Sequence, residues 1–122
     1  FLTISILALT INLFSQNNSF ENKSNKTYPA LLDKEFEQGS NIIFPELNDS
    51  LILDLACLGK VWGFLKYNHP VIAEGKYNMD FELFRFLPKF LAAKDIATRE
   101  GLMLVWVNSF GDISQYKRAK TK

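Results

Sequence analysis

The chain has 122 residues, 48% of them apolar and 14% aromatic, which fits one domain with a small core of its own. Its 14 basic and 13 acidic side chains leave a formal net charge of +1, which excludes a global field that would steer it to nucleic acid or to an anionic membrane. Lys117, Arg118, Lys120 and Lys122 crowd the end of the chain, so the body is mildly acidic and residues 114–122 read as a basic disordered tail.

Residues 1–16 open with an uncharged apolar run, Phe1 to Phe14, that gives way at once to polar residues. This is the pattern of a secretory signal peptide, short for a bilayer span and truncated at its start, with cleavage expected near Ser15 or Gln16. No cysteine follows it to carry a lipid, and the expected location is periplasmic or secreted. Residues 17–41, rich in Asn, Ser, Lys and Glu, read as a linker or loosely ordered arm, broken at Gly39-Ser40-Asn41. Ile42 to Leu47 then offers a short extended segment, which Pro45 restricts to an edge strand or to a stretch lying on helices.

From Leu51 to Pro70 runs the longest apolar stretch of the body. Apolar residues recur three and four apart, with Leu51, Leu55, Leu58, Trp62 and Leu65 on one line and Leu53, Cys57, Val61 and Phe64 on another, which predicts a helix. Asp49 or Ser50 is placed to cap its start, and Asn68 with Pro70 sets its end. Asp54, Lys60 and Lys66 fall at separated angles and leave no continuous polar face, so this helix is expected to be surrounded. Gly59 and Gly63, one turn apart, each weaken the helix by up to about 1 kcal/mol relative to Ala and are expected to make a flat groove for close packing.

Residues 69–79 read as a loop. A second helix is expected from about Asp80 to Ala93, with Asp80 and Glu82 at the positive end of its dipole, Phe81, Phe84, Leu87 and Leu91 on one face, and a kink or a break into two pieces at Pro88. A third helix is expected from Ile96 or Arg99 to Phe110, capped by Asp95 or Thr98, with Trp106 on its buried side and Gly111 at its end. The expected fold is therefore mainly α, a small three-helix module over 42–113 with the short extended segment before it. Its core is expected to hold Leu55, Leu58, Gly59, Trp62, Gly63, Leu65, Phe84 and Trp106.

Candidate chemistry is sparse. Cys57 is the sole cysteine, which rules out an intramolecular disulfide, and it reads as a small hydrophobe. One His and one Cys make no metal-ligand spacing, and no cofactor is indicated. His69 follows a helix end, where imidazole bonds the last carbonyls; twelve residues of helix hold it about 18 Å from Cys57, too far for a nucleophile and base. Glu74, Asp80 and Glu82 are candidate carboxylates without a mark of acid or base work. Trp62, Phe64, Tyr67, Tyr77, Phe81, Phe84, Phe86 and Phe90 are a candidate stacking surface for sugar or peptide, with core packing as the competing role. No phosphate-cradling loop, nucleophile elbow or nucleic-acid motif is present.

The run Leu58-Gly59-Lys60-Val61-Trp62-Gly63-Phe64-Leu65-Lys66-Tyr67-Asn68-His69-Pro70, followed by Gly75-Lys76-Tyr77-Asn78-Met79-Asp80 and the helix Phe81 to Pro88, resembles the N-terminal helical region of secreted bacterial serine peptidases of the tricorn and carboxyl-terminal-processing family. The resemblance covers about Phe44 to Ile113, and Met79 stands where members often carry Trp. It implies a helical region placed before a PDZ-like part and an α/β catalytic core with a serine nucleophile and a lysine or histidine base. None of those downstream motifs lies in these residues, and neither His69 nor any serine here matches the catalytic setting. Two expectations follow: the non-catalytic front of a serine endopeptidase, whose partners are its own downstream domains and, through them, a peptide or protein substrate; or a stand-alone secreted module binding peptide or protein. Neither involves nucleic acid, or a membrane span once the signal is removed.

Overall fold

The computed structural model describes residues 26–113 and places five helices there: α1 (Pro29–Leu32), α2 (Asp49–Asn68), α3 (Pro70–Ala73), α4 (Met79–Ala92) and α5 (Ile96–Asn108). The expected signal segment, the first part of the expected linker and the basic tail lie outside the described residues. The fold is mainly α, as the periodicity predicts, and no strand occurs among the described residues. Ile42 to Leu47 runs without regular structure, with Ile43, Phe44 and Leu47 exposed.

Each long helix starts on a side-chain cap. The Asn48 carboxamide oxygen accepts from the Leu51 N–H at 2.9 Å, Asn78 accepts from Phe81 at 3.3 Å, and Asp95 accepts from Thr98 at 2.8 Å. The cap of α2 is thus Asn48, one residue before the expected Asp49 or Ser50, which instead occupy the first turn. Asp95 is held below the usual carboxylate range, first by the Thr98 backbone N–H and then by its hydroxyl. Gly111, at φ 103°, follows α5 in the left-handed region that glycine adopts freely.

Five hydrogen bonds fix how the long helices lie. Trp62 and Lys66, late in α2, meet Met79 and Asp80 at the start of α4. Arg99, early in α5, reaches Phe90 and Ala93 near the end of α4 and Asp54 near the start of α2. Hence α4 runs antiparallel to α2, and α5 returns parallel to it. Between them sit Leu58, Leu65, Met79, Phe86, Leu87, Phe90, Trp106 and Phe110, with Ile72 of α3 closing one end. Phe86 stacks on Trp106 with ring centroids 4.6 Å apart, and Trp106 meets Phe110 edge-on at 5.6 Å.

Four expectations are corrected. Helix α4 passes through Pro88 as one element and not as two pieces, with Pro88 on its exposed side. Helix α2 is not surrounded within the described chain: Ile52, Leu53, Cys57, Phe64 and Tyr67 are all exposed. Gly59 is exposed, and a Cβ added at Gly59 or Gly63 would meet nothing within 4 Å, so neither is a close-packing position against the described residues. The described part of the expected loose arm is docked. Arg85 of α4 donates to Asp33 at 2.7 Å and to Glu35 at 2.5 Å, and Phe36 packs edge-on against Phe81 and Phe84.

Candidate functional site

The residues that carry the family resemblance meet in one place. Late in α2, the Trp62 indole N–H donates to the Met79 carbonyl at 3.0 Å, while Lys66 pairs with Asp80 at 2.7 Å and lies 4.7 Å from the Trp62 ring centroid. The first block is thereby pinned to the second across the α2–α4 crossing. The Trp62 bond depends on the Met79 backbone only, so the residue type at position 79 does not enter it.

His69 closes the same knot. It is the turn residue between α2 and α3, its backbone N–H bonding back to Leu65 at 3.0 Å, and its side chain is fully buried. Nε2–H donates to the Gly111 carbonyl at 3.3 Å, tying the end of α2 to the residues after α5. Nδ1 has no partner among the described residues, and the ring lies edge-on to Phe110. Burial keeps Nδ1, the ring nitrogen without a proton, out of reach of an incoming substrate, and with Nε2–H tied to Gly111 the geometry is that of a structural tie.

Gly75 extends the knot to the front of the chain. Its φ of 78° suits glycine, the Tyr28 ring occupies the space a Cβ would need, and its carbonyl accepts from the Ala30 N–H at 3.0 Å. On the other side of α1, Arg85 gathers Asp33, Glu35 and Glu82. The Arg85 hydrogen bond is the main reason the Asp33 carboxyl lies below its ordinary range. Burial opposes the Arg85 charge, but the hydrogen bonds to Asp33 and Glu35 and the nearby Glu82 outweigh it and hold the guanidinium charged above its ordinary range.

A second polar tie sits inside the bundle. Arg99 and Asp54 pair at 2.6 Å with side chains only 12% and 10% exposed, and the same guanidinium donates to the Ala93 carbonyl at 2.8 Å. One side chain thus neutralises a charge on α2, caps the carbonyl end of α4 and anchors the start of α5. Asp54 was legible only as a stray charge in an apolar run, and such a charge asks for a partner; nothing in the sequence names Arg99 as that partner.

The remaining candidates are not brought together. Asp80 and Glu82 each have their own cation, Lys66 and Arg85, and Glu74 sits exposed after α3. The eight aromatics divide. Phe86 and Phe90 are buried, Trp62 and Tyr77 are half-buried in separate contacts, Phe81 and Phe84 are half-buried against each other and Phe36, and Phe64 and Tyr67 face solvent, so no single stacking surface forms. Of the expected core, Leu58, Leu65 and Trp106 are buried and Leu55, Trp62 and Phe84 are half-buried, and Phe90, an aromatic for which core packing is the competing role, is fully buried. No group of three His, Cys, Asp or Glu among the described residues is placed to hold a metal, and no helix among them is long and apolar enough to cross a membrane.

What the surface does offer is apolar. The outward side of α2 is continuous with a groove of about 240 Å³ between α2 and α5, walled by Leu53, Cys57, Ile96 and Met103 over the Asp54–Arg99 pair. A shallower trough of about 480 Å³ lies between residues 41–45 and the Pro88, Leu91 and Ala92 end of α4. No family model, curated protein or solved structure matches this chain.

Proposed function

We propose that this chain is the N-terminal, non-catalytic helical part of a secreted serine endopeptidase of the tricorn and carboxyl-terminal-processing class, with proteolysis carried out by a downstream α/β core. The observation that carries the reading is the convergence of the two resembling blocks. Trp62, Lys66 and His69 each spend their polar groups on Met79, Asp80 and Gly111, so the motif is spent on holding helices together. In this role the module needs no nucleophile. The apolar trough between residues 41–45 and the end of α4 supplies an area against which catalytic and PDZ-like domains pack in the periplasm or outside the cell.

A second reading, a stand-alone secreted module that binds a peptide or protein, is favoured by the same α2–α5 groove. Translating the genomic DNA beyond the Lys122 codon in all frames separates the two. A serine-peptidase core in frame, or after one frameshift, is the expected result; its absence in every frame overturns the first reading. The purified chain, incubated with an unstructured protein and followed by mass spectrometry, is expected to leave the substrate intact. Cleavage abolished by His69→Ala would overturn both the non-catalytic assignment and the structural role of His69.

A further inference from the structure

We infer that the outward face of α2 is a pairing surface for a second copy of this chain, with the two α2 helices antiparallel about a two-fold axis between Asp54 and Leu55. The inference goes beyond the peptidase reading and does not depend on it. Between Asp49 and Lys60 the exposed side of α2 carries charges at those two positions and the polar Ser50, while Ile52, Leu53, Ala56, Cys57 and Gly59 present no polar side chain, with Leu53 71% exposed. The outward apolar residues of α2 lack cover among the described residues, because α3, α4 and α5 pack against its other side.

The placement of the two charges selects the occupant. Eleven residues separate Asp49 from Lys60, which is three turns, about 16 Å, with the two side chains within about 20° of one line along the helix. They have opposite signs. An antiparallel second copy centred between Asp54 and Leu55 therefore sets its Lys60 against Asp49 and its Asp49 against Lys60, with no charge left facing apolar surface. The same register sets Leu53 over Ala56 of the second copy and Ala56 under its Leu53, a large residue over a small one, twice. A parallel pair in the same register would put Asp49 against Asp49 and Lys60 against Lys60. The self-complementarity is that of an isologous interface. The helix face alone has a footprint of a few hundred Å², under the roughly 800 Å² per partner of a tight complex, so the pair is weak and concentration-dependent.

Sedimentation equilibrium of the full 122-residue chain, from about 1 μM to about 1 mM, tests this. A reversible monomer–dimer equilibrium is expected. Lys60→Asp, and separately Asp49→Lys, should each raise the dissociation constant by about tenfold or more, and the double reversal should recover most of that loss. Both positions are exposed, and circular dichroism of each variant checks that the helices persist. A chain that stays monomeric at about 1 mM overturns the proposal and leaves the face to a different protein. A dimer indifferent to the single reversals, or reversals that the double variant does not rescue, overturns the register and with it the two-fold pairing. Neither result bears on whether a peptidase core follows.

Discussion

The two sides of α2 both carry large apolar residues and are opposite in circumstance. Inward lie Leu51, Leu58 and Leu65, buried by α3, α4 and α5, with the charge of Asp54 matched by Arg99. Outward lie Ile52, Leu53, Phe64 and Tyr67, left in solvent by everything else in the described chain. The difference teaches that apolar periodicity states what a helix requires and not what the neighbouring elements provide. It also locates function: an inward leucine contributes to folding, whereas an outward one is available for association.

The comparison is broken most severely through its one inward charge. Arg99→Ala should destabilise the fold by about 3–5 kcal/mol, because Asp54 is left buried without a partner and the end of α4 loses its cap. Chemical denaturation measures it. A loss under about 1 kcal/mol would show Asp54 to be hydrated and the inward face less sealed than described.

Next comes the front of the chain, whose docking holds a different part of the surface out of solvent. Gly75→Ala forces a side chain into the left-handed region at a cost of about 1–2 kcal/mol and sets it against the Tyr28 ring. Proteolysis between Tyr28 and Asn41 should therefore become faster while the three long helices persist. Acid should act on the same segment through Asp33. Its carboxyl is depressed in the folded state, so the stabilisation is complete above the ordinary Asp value of about 3.9 and is lost as the pH falls through the lower folded value. Arg85 keeps its charge throughout. The Tyr28 ring resonances should move toward free-chain positions only as the pH falls below the ordinary Asp value and stay fixed between about pH 5 and 7. A shift centred near pH 6 would point to a group other than Asp33.

The smallest expected change has the opposite sign. Gly63→Ala places a Cβ in open space on a helix, so it should stabilise the monomer by up to about 1 kcal/mol. A loss of stability would restore the close-packing role that the sequence suggests for Gly63.

What could be read from the chain follows the range of the forces involved. The three long helices were legible because their apolar spacing and their breakers, Asn68-Pro70 and Gly111, act within a few residues. At Pro88 the expected break into two pieces does not occur, and α4 runs as one helix from Met79 to Ala92. The α2 cap was misplaced by one residue, as Asn48, Asp49 and Ser50 are all cap formers and only the backbone angles choose among them. The long-range ties were not legible. Asp54 to Arg99 spans 45 residues and Arg85 to Asp33 spans 52, and no local pattern marks such partners. Tyr28 on Gly75 was equally hidden, although the polar composition of its neighbourhood encouraged the opposite expectation of a loose arm. Within the resembling blocks, the residue types were visible and their mutual contacts were not.

The central claim, that one face of α2 builds the fold and the other is free for association, is tested most directly by a matched pair of thermal melts in dilute protein. Leu58→Ala and Leu53→Ala remove the same atoms from opposite sides of the same helix, at positions 2% and 71% exposed. Leu58→Ala should lose about 2–5 kcal/mol and Leu53→Ala should change stability by no more than about 0.5 kcal/mol. Equal losses at the two positions would contradict the claim, because Leu53 would then be buried within the monomer and no outward face would exist.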